Sequence, residues 1–141
     1  MEKIVKPSST KYRLAHSSTD YRKAHALTSL VDPRLVGPMS FPTVLADRDG
    51  LVVGVLGSTP NKNFLVAGPL AIMPDLPSKG PVLMRLLESY ENFARFMGID
   101  RILFRIHSVE SPHWARSVES IYNIKPYANE DNWLWFQRKL I

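Results

Sequence analysis

The chain has 141 residues, of which 45% are hydrophobic and 22% are charged, a composition typical of a globular protein that excludes a disordered or membrane-embedded chain. A chain of this length buries about two thirds of its unfolded surface around one core, so a second domain has no room. The net charge of +5 favours an anionic partner, but the basic residues are scattered and do not distinguish a phosphorylated cofactor from nucleic acid or a solvated surface.

The first elements in chain order are a strand and a helix. Lys11 to Ala15 predicts a short strand. From Asp20 onward, apolar side chains recur at helical spacing, and Pro33 marks the stop. Ser18 or Thr19 is the expected N-cap, which gives a first helix of about three turns.

Three strands are predicted next, after an irregular loop at residues 36–42. That loop is either one wall of a substrate cleft or a passive connector. Thr43 to Ala46 and Leu51 to Gly57 are apolar and partly β-branched, and an Asp-Arg-Asp-Gly turn joins them as a hairpin. Phe64 to Ile72 predicts a buried strand that is disturbed by a bulge or splay at Gly68-Pro69.

A helix between two strands is the central feature of the pattern. Apolar residues from Val82 to Met97 keep to one helical stripe, and Gly98 suits a C-terminal cap. Ile102 to Ile106 then predicts a short strand. A strand, helix and strand of these lengths favour a parallel, right-handed crossover.

The last part of the chain predicts one more helix and one more strand. Ser111-Pro112 begins a helix that carries Trp114, Val118 and Ile121 on one side. Trp133 to Leu140 predicts an aromatic-rich strand.

Together the predicted elements form one mixed α/β layer fold. Their order is strand, helix, three strands, helix, strand, helix and strand, without an internal repeat. We expect this single domain to cover residues 11–141 and residues 1–10 to form a loose N-terminal arm.

The passage that opens the central helix carries a family resemblance. Ile72-Met73-Pro74 ends a strand, and the segment Pro77-Ser78-Lys79-Gly80-Pro81-Val82 leads into the helix. This order resembles the GCN5-related N-acetyltransferase (GNAT) family, in which a Val-x-Pro step precedes a Gln/Arg-x-x-Gly-x-Gly/Ala loop. The resemblance extends over nearly the whole chain and implies an acetyltransferase-like mixed sheet with helices on both faces.

The resemblance assigns the pyrophosphate of coenzyme A to four residues of the loop, Ser78, Lys79, Gly80 and Val82. Such a loop aims free backbone N–H groups and a helix N-terminus at an anion, and Gly80 permits the close approach. The sequence departs from the family pattern at Pro77 and Val82, and a proline has no N–H group to donate. The alternative is a loop in which Pro81 merely begins a helix.

In the resembled family, the pantetheine arm of the cofactor lies between two diverging strands. Here that gap would be lined by Leu70, Ala71 and Ile72. Gly68-Pro69 is then the disturbance that opens the gap, although a proline in a strand also marks an ordinary bulge or edge.

A tyrosine near the end of the last helix is the first catalytic candidate. Tyr122 and the residues up to Tyr127 resemble the family's Tyr-x-x-x-Gly-Phe ending, with Pro126 in place of the glycine. The resemblance implies that the Tyr122 phenol protonates the departing thiolate of coenzyme A. Alternatively, Tyr122 packs its ring against the core and exposes its hydroxyl to water.

A general base for the incoming amine is harder to identify, because Phe64 to Ile72 contains no carboxylate. His107 is the candidate, since histidine titrates in the physiological range and this one follows a strand end. A surface role for His107, with water carrying the proton, is the alternative. Glu110 and His113 follow closely, but their spacing does not place all three on one helix, and we predict no metal site.

Three functions stay open at this point. The first is an acetyl-CoA-dependent N-acetyltransferase that transfers its acetyl group directly to a primary amine of a small molecule or peptide. The second is a catalytically inactive acetyltransferase-like protein that forms a homo-oligomer or binds an assembly partner, as in a phage particle. The third is a nucleic-acid-binding module. It ranks last because the alternation of side chains in a last strand already explains the aromatic residues near the C-terminus without a nucleic-acid partner.

The chain has no cysteine, so disulfides, thiolate nucleophiles and cysteine zinc sites are excluded. No apolar run is long enough for a signal peptide or a spanning helix. We therefore expect a cytoplasmic protein without a membrane partner.

Overall fold

A computed structural model describes residues 9–32, 37–77, 79–109 and 111–140. Residues 1–8 of the predicted N-terminal arm lie outside this set. In chain order the elements are β1 (Thr10–Leu14), α1 (Ser18–Val31), β2 (Ser40–Arg48), β3 (Leu51–Thr59), β4 (Val66–Ile72), α2 (Gly80–Phe96), β5 (Arg101–His107), α3 (Pro112–Tyr122), β6 (Ala128–Glu130) and β7 (Trp133–Lys139).

The strands form one mixed sheet in the order β1-β2-β3-β4-β5-β7-β6. Neighbouring strands are antiparallel except β4 and β5, which run parallel and are joined through α2. The predicted parallel crossover is thus confirmed. Since β4 is the fourth of seven strands, Gly68-Pro69 lies in the middle of the sheet and not at an edge.

Helices cover both faces of the sheet, as the resemblance implied. One apolar core joins α2 and α3 to the sheet through residues such as Leu86, Val118 and Phe136. A second core on the opposite face joins α1 to the sheet through Leu27 and Val55. No helix within the described ranges is both long and apolar enough to cross a membrane.

Close packing of α2 on the sheet depends on Gly54 of β3. A Cβ atom at this position would lie 3.0 Å from Val82 Cγ1 and 3.2 Å from both Ala46 Cβ and Leu86 Cδ1. Gly54→Ala is therefore expected to lower the free energy of unfolding by about 1 to 3 kcal/mol through overpacking, measured by urea denaturation. Gly37→Ala is the control, because no atom of the described residues lies within 4 Å of its added Cβ. Equal effects of the two substitutions would contradict the packing argument.

The first helix begins earlier than predicted. Ser17, and neither Ser18 nor Thr19, is the N-cap, because its backbone is extended and its Oγ accepts a hydrogen bond of 3.1 Å from the N–H of Asp20. The helix accordingly has 14 residues. Successive hydroxyl residues offer the same capping chemistry, so only the backbone conformation distinguishes them.

Two strands differ from the sequence prediction. β2 begins at Ser40, inside the segment predicted as a loop, and so includes Phe41-Pro42. The short strand β6 was not predicted at all; it pairs with β7 across a turn in which Asp131 and Asn132 both have positive φ. Its sequence, Ala-Asn-Glu, has low β propensity, so its pairing with β7 accounts for the strand.

Candidate functional site

The two parallel strands at the centre of the sheet separate along their length. β4 pairs with β5 only at Val66 with Leu103 and at Ala67 with Phe104. Beyond these pairs each strand continues, β4 to Ile72 and β5 to His107, without further pairing between them in the described residues. The predicted splay is confirmed, and it opens a gap in the middle of the sheet.

A bulge in β4 lies where the gap begins. Ala67 is paired with Ser58 of β3, but the next paired residue of β4, Leu70, faces Leu56. Between these two pairs β4 advances by three residues and β3 by only two. The extra residue of this β-bulge lies at Gly68-Pro69. Gly68 has a φ of 134°, which favours glycine.

The bulge determines which backbone groups face the gap. The N–H of Met73 donates to the carbonyl of Val53 on β3 at 2.8 Å. Because successive residues of a strand direct their polar groups to opposite sides, Leu70 and Ile72 direct theirs towards the gap. Polar backbone groups at such a place need hydrogen-bond partners, so this edge of β4 suits a ligand that carries amides.

The three residues predicted to line the gap contribute in different ways. The side chain of Leu70 lines the cavity described below. The Ala71 side chain is buried in the core with α1, and the Ile72 side chain is buried in the core with α2. For Ile72 only the backbone faces the gap.

A cavity of about 330 Å³ occupies the gap. Leu87 of α2 and Trp114 and Val118 of α3 form an apolar wall on one face of the sheet. Gly37 and Pro38 also line it, which supports the interpretation of their loop as a cleft wall.

His107 and two residues that were not predicted lie at the other side of this cavity. Phe104 and Ile106 belong to the core with α2 and α3, so Arg105 and His107 extend from the opposite face of β5. Trp133 pairs with His107 in the β5–β7 ladder, and the two rings meet edge to face at 4.9 Å. Arg105 and Trp133 both line the cavity. The alternation of side chains between the two faces of each strand could be read from the sequence. The pairing of β5 with β7, which places Trp133 beside His107, could not.

Basic groups gather where α2 and α3 begin. Lys79 is the N-cap residue of α2 and lacks a side-chain capping hydrogen bond to any described residue. Partial burial, then Arg116 and then Lys79 lower the pKa of His113 in the first turn of α3. The charges of Lys79 and Arg116 create a positive potential beside the N-terminus of α2, where an anion is favoured.

The loop residues predicted for the pyrophosphate are not equivalent. Gly80 begins α2 and is exposed, so its backbone is accessible to a ligand. The Val82 side chain is buried against the sheet, which leaves its backbone N–H as the only group it offers. Pro81 has no N–H to donate. Ser78 lies outside the described residues.

Tyr122 occupies the last position of α3 and packs beyond the cavity. Its ring lies 5.8 Å from that of Phe104, and the guanidinium of Arg138 lies 4.7 Å above it. Burial, followed by the charge of Glu91, raises the pKa of Tyr122. Tyr122 is not among the described residues that line the cavity, so the structure does not bring it together with His107.

The metal prediction concerns His107, Glu110 and His113. Glu110 lies outside the described residues. In the ranges that the structure describes, no cluster of three or more His, Asp or Glu side chains is placed to hold a metal ion.

No family model matches the chain, and no curated protein matches its sequence. Solved structures do. Aminoglycoside 6′-acetyltransferase type Ii matches with a TM-score of 0.74 at 16% identity, over 93% of this chain and 97% of that one. A GNAT family N-acetyltransferase (YhbS) from Escherichia coli, in complex with CoA, matches with a TM-score of 0.72 at 12% identity, over 99% and 86% of the two chains.

A third match covers part of a larger enzyme. N-acetylglutamate synthase from Neisseria gonorrhoeae, complexed with coenzyme A and N-acetyl-glutamate, matches with a TM-score of 0.70 at 17% identity, over 96% of this chain and 36% of that one. Together with the mixed sheet, the β4 bulge and the splay beside it, these matches show that the chain has the fold of the GCN5-related N-acetyltransferases.

Proposed function

We propose that the protein is an acetyl-CoA-dependent N-acetyltransferase that acetylates a primary amine directly. The observation that carries this proposal is the gap between β4 and β5, which holds a cavity and exposes one backbone edge of β4 beyond a bulge. Proteins of the same fold support it, since two of the similar structures contain coenzyme A and another is an aminoglycoside acetyltransferase.

The residues of the chain fit a cofactor with two amides and several phosphates. The backbone groups of Leu70 and Ile72 would pair with the pantetheine amides. Lys79, Arg116 and the backbone N–H of Gly80 would hold the phosphates at the start of α2. When bound, acetyl-CoA supplies an acetyl group activated as a thioester.

The proposed proton transfers use two side chains. His107 lines the cavity, and its imidazole would accept the proton that an attacking amine must lose. Tyr122 would donate a proton to the sulfur of the leaving thiolate. Its raised pKa keeps the phenol protonated at neutral pH, as this role requires.

Titration calorimetry with acetyl-CoA and with coenzyme A tests the proposal. Dissociation constants in the micromolar range are expected, and release of free thiol should follow when an accepted amine is added. Absence of binding at about 1 mM of either compound would contradict the proposal.

Reversing one charge at the start of α2 tests where the phosphates bind. Lys79→Glu is expected to raise the dissociation constant of coenzyme A about fivefold to tenfold at low ionic strength, and less at high salt, because it replaces attraction by repulsion. Lys79 is exposed, so folding should be preserved. Lys11→Glu makes the same change of net charge on the exposed face of the edge strand β1. Equal weakening by both variants would show that only the overall charge matters.

A second candidate function is a non-catalytic protein of the same fold that serves in binding or assembly. It is favoured by Pro77 and Pro81, which remove two donors from the phosphate loop, and by Tyr122, which is not among the described residues that line the cavity. A stable oligomer or partner complex in the absence of coenzyme A binding would support it. The cytoplasmic location and the role in a phage particle stay predictions.

A further inference from the structure

Among the described residues that line the cavity between β4 and β5, the ionisable side chains are all basic. Two of its described lining residues carry ionisable side chains, Arg105 and His107. None of the described lining residues is an aspartate or a glutamate. A polycationic acceptor needs carboxylates to balance its ammonium groups, so this lining does not suit a polyamine or an aminoglycoside.

The guanidinium of Arg105 is held by aromatic rings. Its central carbon lies 4.0 Å from the ring centroid of Trp133 and 6.0 Å from that of Trp135. This contact acts through the ring face and does not use the N–H donors of the guanidinium. Arg105 is partly buried, and burial lowers its pKa because the surroundings solvate its charge less well than water does.

Four other arginines of the chain differ from Arg105 in having carboxylate partners. Arg13, Arg95, Arg101 and Arg138 each lie within 4.0 Å of a carboxylate. For Arg105 no carboxylate of residues 9–32, 37–77, 79–109 or 111–140 is that close. A partly buried guanidinium that lines a cavity without such a partner is suited to bind an anionic group of a ligand.

The spacing of Arg105 and His107 indicates what kind of ligand fits. The two residues are separated by one position on β5, so their Cα atoms are about 6 to 7 Å apart and their side chains share a face of the sheet. We propose that the acceptor carries a carboxylate close to its amine, as a free amino acid does, and that Arg105 binds this carboxylate while the amine lies near His107. This inference rests on the proposed acetyltransferase function, in which the amine must reach the cavity.

Product analogues test the inference without requiring turnover. The N-acetyl derivatives of the standard amino acids are titrated by calorimetry into the protein saturated with coenzyme A, each as the free acid and as the matching primary amide. At least one acid should bind about tenfold or more tightly than its amide, because only the acid offers the charge-assisted pair. Arg105→Gln should abolish this difference. Arg105→Lys should retain part of it, because it keeps the charge but loses the planar fork.

Arg101→Gln is the matched control, since Arg101 lies on the same face of β5, carries the same charge and pairs with Asp100. It should leave the preference for acids unchanged.

Three outcomes would each overturn the inference. They are equal affinities for acids and amides, no binding of any acid by a protein that does bind coenzyme A, and a preference that survives Arg105→Gln. If circular dichroism shows that Arg105→Gln does not fold, the affinities for acids and amides are compared on the unmodified protein and on Arg105→Lys. That comparison then decides whether Arg105 binds the carboxylate. Failure to bind coenzyme A would instead overturn the proposed function, and the same series without coenzyme A would still decide the role of Arg105.

Discussion

Tyr122→Phe is expected to lower kcat for acetyl transfer by about a hundredfold or more, with little change in the affinity for coenzyme A. The substitution removes the hydroxyl that would protonate the leaving thiolate and keeps the ring that packs on Phe104. Steady-state release of thiol, with kcat and KM determined separately, measures the effect. Loss of the hydroxyl should cost at most about 0.5 to 1.5 kcal/mol of stability, so the variant should fold.

Tyr127→Phe is the matched control, because the Tyr127 side chain is 57% exposed and is not one of the described residues that line the cavity. Its rate should equal that of the unmodified protein. If Tyr122→Phe also retains a rate within about twofold, Tyr122 is not the general acid.

Asp20→Asn is expected to lower the free energy of unfolding by about 3 kcal/mol at neutral pH, the lower end of the range for breaking a buried ion pair. Asp20 is 5% exposed and accepts hydrogen bonds of 2.8 and 2.9 Å from the two terminal nitrogens of Arg13. It also accepts one of 3.1 Å from the N–H of His16. These contacts join the start of α1 to the edge strand β1. Asparagine keeps the shape but removes the charge, so that among the described residues Asp47, 3.2 Å away, is the remaining carboxylate partner of Arg13. Urea denaturation measures the loss.

The effect of Asp20 should depend on pH. The hydrogen bonds from Arg13, together with that from His16, hold the pKa of this carboxyl well below its ordinary value of 3.8. Because the native pKa is lowered, the ionised carboxylate stabilises the fold fully above the ordinary value, and the stabilisation is lost as the pH falls towards the native pKa. The unmodified protein should therefore lose stability below about pH 5 more steeply than Asp20→Asn does.

Asp100→Asn is the control for both measurements. Asp100 pairs with Arg101 at 3.7 Å, but its side chain is 58% exposed, so the substitution should change stability by less than about 1 kcal/mol. Equal losses for Asp20→Asn and Asp100→Asn would contradict the buried role of Asp20. A difference between unmodified protein and Asp20→Asn that stays constant from neutral to acidic pH would contradict its lowered pKa.

Much of the fold could be predicted from local patterns. The apolar stripe that begins at Val82 and the glycine cap at Gly98 predicted α2 to within two residues, because both signals lie within the helix and its immediate neighbours. β6 escaped prediction because three residues of low β propensity carry no such signal and depend on pairing with β7.

The candidate site was predictable only in part. Gly68-Pro69 indicated the splay, because proline lacks the N–H group that a regular ladder needs. His107 was expected at a strand end and lines the cavity. Arg105 was not singled out, because an arginine in a strand is usually solvated, and only its contact with Trp133 distinguishes it.

The sequence by itself determined the elements and their order, the disturbance in β4 and the resemblance to an acetyltransferase, because periodicity, turn residues and a short loop motif are all local. Only the tertiary structure decided that Arg105, His107 and Trp133 share one side of the cavity and that the Tyr122 ring packs on Phe104. These contacts join residues that are far apart in the chain, and they depend on the register between β5 and β7 and on how α2 and α3 pack on the sheet. No local pattern encodes a register between distant strands, because it results from burying all the faces of the sheet at once.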